Sequence, residues 1–142
     1  MQVYIGPFPE GNEPRQESIE IHNYDSWNAF ETIAKVAYPI LVQLKATKHG
    51  YALVSVEDAP GIDLEPDEVE SGYSESRWDY VLDEIIWTMK ELAENEPSAP
   101  SYDTMKSPLQ DFNEYIQEYK VYNARLQKGC ELFGKYFRNL WD

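Results

Sequence analysis

The 142-residue chain has one cysteine, Cys130, and two histidines, His22 and His49. A single thiol excludes an intrachain disulfide and points to a reduced, intracellular setting. Bases are also scarce: 12 against 26 acids, for a net charge of −14. That balance argues against direct binding to nucleic acid or to an anionic membrane, both of which attract positive charge. No apolar run approaches the ~20 residues that a membrane-spanning helix needs. The opening MQVYIGPFPEG has neither the basic start nor the apolar core of a signal peptide. No serine stands in GxSxG, no glycine cluster forms a phosphate loop, and no histidine or cysteine pair has metal-site spacing. No cofactor and no metal is expected.

Aromatic residues, by contrast, make up 14% of the chain and hydrophobic residues 42%, too many for a disordered polymer. Each aromatic buries a large area, so a chain of this length can build one adequate core. Residues 1–23 read as a short β element, with QVYIGPF and SIEIHNY as strands on either side of the turn-rich EGNEPRQ. Two strands alone are marginal in water and are expected to pack on something else.

Three amphipathic helices are predicted. In the first, over 26–46, Asp25 or Ser26 caps, and Trp27, Phe30, Ala34, Ala37, Leu41 and Leu44 recur every three or four residues, widened by Ile33 and Ile40. Pro39 predicts a kink or break there. YALVSV, residues 51–56, reads as a short strand. An exposed acidic loop, 57–74, follows. The second helix, over 75–95, is capped by Ser74 or Ser76 and places Trp78, Val81, Leu82, Ile85, Met89 and Leu92 on one face, leaving Trp87 off it. The third, over 108–140, opens on Ser107, Pro108 and Gln110, a capping box with proline in the first turn. Its expected stripe includes Phe112, Ile116, Tyr119, Tyr122, Leu126, Cys130, Phe133, Phe137 and Leu140. At this length the helix is expected either to bend at Gly129 and Gly134 or to project at one end. The fold class is therefore mainly α (α+β): one domain spanning 1–142, with a three-helix core and a small N-terminal β element.

Four blocks have a distinctive look: YDSW at 24–27, QLKATKHG at 43–50, RWDYVLDEIIW at 77–87 and LFGKYFRNLWD at 132–142. Together they resemble a family of uncharacterised tailed-bacteriophage proteins. Members often carry extra sequence before the YDSW block and longer insertions before the terminal helix, so this chain looks like a compact member. The resemblance covers about half of the chain. It implies a phage origin and a place of action in the host bacterial cytoplasm, and it brings no activity and no site residues.

Charge is unevenly spread. Residues 51–118 carry 18 acids and 3 bases, a net of −15, while residues 119–142 carry 2 acids and 5 bases, a net of +3. Such polarity suits self-association or a charged partner. The plainer reading is a solubilising surface. An acidic face could also imitate DNA. Asp79 and Asp83 stand one helical turn apart and could hold Mg²⁺ in a hydrolase if other helices supplied oxygens; a solvated acidic face is the simpler expectation. Cys130, on the apolar stripe, is expected to be a buried, inert thiol.

These observations lead to a non-enzymatic protein that binds a host or phage protein, acting as an inhibitor of host defence or of a host enzyme, or as an assembly factor. The anchors expected to be left over on the surface are Trp87, Tyr136, Trp141 and Arg138. The different-class alternatives are the DNA mimic and a sponge or metal-dependent hydrolase for a nucleotide-like ligand. A sponge requires Lys45, Lys48, His49, Arg125 and Lys128 to converge.

Overall fold

The computed structural model describes residues 1–101 and 108–141. Its elements are two strands, β1 (Gln2–Ile5) and β2 (Glu17–Glu20), and three helices, α1 (Ala29–Thr47), α2 (Glu75–Ala93) and α3 (Pro108–Tyr136). Single 3-10 turns lie at Asn23–Ser26, Val56–Asp58 and Phe137–Asn139. The chain is mainly helical with a small N-terminal β element, as its periodicities predict.

The α2 helix begins where Ser74 Oγ accepts from the Arg77 amide at 3.3 Å, satisfying a first-turn donor. Trp78, Val81, Leu82, Ile85 and Met89 are all buried. This helix is the centre of the molecule. Ala34 and Leu41 of α1 pack on one side of it, and Leu126, Leu132 and Tyr136 of α3 are buried on the other. The Trp78 and Tyr136 rings meet with centroids 5.6 Å apart. Residues 51–59 complete the core without becoming a strand. Ala52 and Val54 point inward while Leu53 and Val56 point out, an extended segment with no strand beside it among the described residues.

α3 and α2 cross at a glycine. A Cβ on Gly129 would stand 1.8 Å from Thr88 Oγ1 and 2.7 Å from Thr88 Cβ, so only the bare glycine backbone permits this approach. The buried face of α3 runs through Tyr122, Leu126, Gly129, Leu132 and Tyr136. This corrects the expected stripe, which had Cys130 and Phe137 facing inward. Both are exposed, Phe137 at 60%, and Phe133 and Leu140 are only partly covered. Helical structure gives way to a 3-10 turn after Tyr136, four residues before the predicted limit. The capping box expected at Ser107–Gln110 rests on residues outside the described ones.

Other expectations also change. α1 starts at Ala29, with Asn28 as an N-cap whose side chain caps no backbone amide and instead donates to Glu31 Oε2 at 3.5 Å. Asp25 instead closes the preceding 3-10 turn, accepting from the His22 amide at 2.8 Å. α1 runs through Pro39 to Thr47 without a break. The β1–β2 hairpin is antiparallel, with Val3 opposite Ile19. All eight of its strand residues are exposed, so it does not join the core as predicted.

Candidate functional site

Of the residues expected to form a ligand cluster, Lys45, Lys48, Arg125 and Lys128 are each held by carboxylates of this chain. The α1-facing row of α2 carries Glu75, Asp79 and Asp83. Lys45 Nζ meets Asp83 Oδ1 at 2.5 Å, and Lys48 Nζ meets Asp79 Oδ1 at 3.0 Å and Glu75 Oε1 at 3.4 Å. Burial alone would push the Lys48 ammonium down, but Asp79 and Glu75 hold its pKa above the ordinary lysine value. On the α3-facing side, Arg125 bonds Glu84 in a fork, Nε to Oε2 at 2.9 Å and a terminal nitrogen to Oε1 at 2.8 Å. Its guanidinium also lies 3.9 Å from the centre of the Trp87 ring. Lys128 reaches Asp58 of the segment before α2, at 2.7 Å. His49 is exposed just past the end of α1.

These pairings also bear on the metal reading, since Asp79 and Asp83 each face a lysine. Among the described residues no group of three or more His, Cys, Asp or Glu is placed to hold a metal ion. They reduce the free acidic surface too. Asp58, Asp83 and Glu84 each meet a base of this chain, and Glu75 and Asp79 share Lys48.

Asp58 is one residue that sequence reasoning missed. It is buried, and its carboxylate accepts from Lys128, Lys135, Ser55 Oγ and the Tyr136 hydroxyl. Burial would raise its pKa. The two ammonium groups and two hydroxyls overcome that and hold it well below the usual carboxylate range. In sequence Asp58 is one acid among many in a loop, and only the neighbouring alternation of Ala52, Val54 and Ala59 hints that this part of the loop turns inward.

Of the expected surface anchors, Tyr136 is corrected: it is 4% exposed, packed at a tilt against Trp78 and bonded to Asp58. Trp87 is half-buried, covered by Arg125 and by the edge of Tyr122. Trp141 and Arg138 are exposed, with the Trp141 ring lying over Gly50.

A larger apolar surface lies on α1 and the turn before it. Trp27 is 81% exposed, and Phe30, Ile33 and Ile40 are each more than half exposed. They were expected to lie in the core. Beside them runs a groove of about 400 Å³ between α1 and the C-terminal turns, lined by Ala37, Ile40, Leu41, Leu44, Phe133, Phe137 and Leu140. No helix among the described residues is long and apolar enough to cross a membrane.

Compared with known proteins, the chain matches no family model, no curated protein and no solved structure.

Proposed function

We propose that this chain is a phage-encoded, non-enzymatic protein that binds a host protein through the apolar face of α1 and the C-terminal turns, acting as an inhibitor of host defence or of a host enzyme. The observation that carries this reading is the row Trp27, Phe30, Ile33 and Ile40, uncovered beside an apolar groove that Phe137 also lines. Contiguous apolar surface of this kind marks interaction sites on small proteins. The internal pairing of acids with bases supports a binding role over a chemical one, because the groups a reaction would use are engaged with one another.

The occupant is a basic partner. At a net charge of −14, two copies of this chain repel each other at long range, whereas a cationic protein is steered toward it. The pairing of the carboxylates on α2 makes a DNA mimic less favoured.

The test is capture from bacterial lysate with the tagged chain, with and without nuclease. One stoichiometric protein of positive net charge, held equally in both conditions, is the expected result. Loss of all captured protein on nuclease treatment, or formation of a dimer by light scattering in place of a complex, contradicts the reading.

A further inference from the structure

Arg77 stands in the first turn of α2 and is 7% exposed. Its Nε donates to the Ile62 carbonyl at 2.8 Å. Among the described residues that is the only side-chain hydrogen bond it makes, and it enters no ion pair. Lys45, Lys48, Arg125, Lys128 and Lys135, by contrast, each meet a carboxylate. A guanidinium carries five donors in a planar fork. Its terminal nitrogens are not among the buried side-chain atoms left without a partner, so they open onto accessible space and can receive an anion.

Arg77 lines a cavity of about 440 Å³, with Lys135, Ser55, Asn139, Leu53 and Val56 also in its wall. No Asp or Glu among the described residues lines it. Lys135 lies at the rim with its side chain half exposed, sharing Asp58 with Lys128. Two cations, Lys128 and Lys135, thus share one buried carboxylate, with Glu57 beyond Lys135, and Arg77 adds a further positive charge to the cavity wall. In a chain this acidic, a concave site with local positive charge runs against the overall field and selects anions. The volume is that of a small-molecule site, and Leu53 and Val56 give it an apolar wall.

We propose that this cavity binds a small organic anion, with a carboxylate or phosphate on the Arg77 guanidinium and the Lys135 ammonium and an apolar body against Leu53 and Val56. Arginine suits either head group, because its paired N–H donors match two oxygens at once. The cavity shares no lining residue with the apolar groove, so this site stands or falls apart from the protein-binding face.

The experiment is an NMR titration of the full chain with benzoate, phenyl phosphate, benzamide and inorganic phosphate. The two aromatic anions are expected to shift the signals of Ser55, Arg77 and Asn139, and the tighter of the two names the head group. Neutral benzamide and inorganic phosphate are expected to bind at least about tenfold more weakly. Arg77→Lys should weaken the aromatic anion by about tenfold. If that buried substitution unfolds the chain, Lys135→Ala at the rim is the second variant, expected to weaken binding about threefold. The proposal is overturned if neither aromatic anion shifts those three residues, if benzamide binds as tightly as benzoate, or if inorganic phosphate binds as tightly as phenyl phosphate.

Discussion

The Tyr136 hydroxyl donates to Asp58 Oδ2 at 2.9 Å, joining residues 78 positions apart. This contact pins the segment after α1 to the last turn of α3. Lys128 and Lys135 close on the same carboxylate, and Ser55 donates from the side. The acidic middle of the chain is thereby attached to its basic end.

Asp58→Asn should lower neutral-pH stability by about 2 kcal/mol, since two ammonium groups lose their shared anion but can turn to water. The pH dependence has a defined sign. The folded-state pKa is depressed, so the contribution of Asp58 is whole above the unfolded value near ~4 and is lost as pH falls through the folded one. Urea melts at a series of pH values should show wild type losing stability below about pH 4 more steeply than the variant.

Gly129→Ala should destabilise the chain by about 1–3 kcal/mol, because its Cβ has no room beside Thr88. Thr88→Gly in the same chain should recover part of that loss, which a double-mutant cycle by thermal melting would measure. Equal losses in the two backgrounds would mean that the helices separate freely at this crossing. Gly134 faces open space, so Gly134→Ala is expected to be neutral or slightly stabilising.

Glu91 is a buried carboxylate that fastens the turn after α2 to α3. It accepts from the Ser98 amide at 3.0 Å, Ser98 Oγ at 2.8 Å and the Tyr122 hydroxyl at 3.0 Å. Burial and the adjacent Glu91 push the Tyr122 phenol above its ordinary pKa, so it stays a donor through neutral pH. Tyr122→Phe and Ser98→Ala should each cost about 1 kcal/mol. Together they should deviate from additivity by about 0.5 kcal/mol or more, because both act on one carboxylate. Strict additivity in denaturant melts would show that Glu91 does not couple them.

The legibility of the fold varied element by element. α2 was plain in the sequence, since its cap and its apolar spacing agree and it is covered on two sides. α1 misled because its apolar stripe is wider than the surface its neighbours cover. Trp27, Phe30, Ile33 and Ile40 have the right period, but period does not say which part of a stripe receives a partner. From Tyr122 and Leu126, which were expected to face inward and do, the apolar spacing of α3 can continue through Cys130 and Phe137 or through Leu132 and Tyr136. The close approach of Thr88 to Gly129 selects the second, and that is a tertiary fact. The sequence likewise showed that Lys45, Lys48, Arg125 and Lys128 exist as cations without showing that acids of α2 and Asp58 would engage them. Arg77 went unnoticed because a first-turn arginine ordinarily faces water.

The most direct test of the protein-binding reading is a quantitative capture from lysate comparing wild type with Ile33→Glu/Ile40→Glu. Both residues are exposed, so the variant should melt within about 0.5 kcal/mol of wild type. The expected result is one stoichiometric partner on wild type and at least a tenfold loss on the variant, about 1.4 kcal/mol. A variant that keeps its fold and retains the partner in full would contradict the assignment of this face.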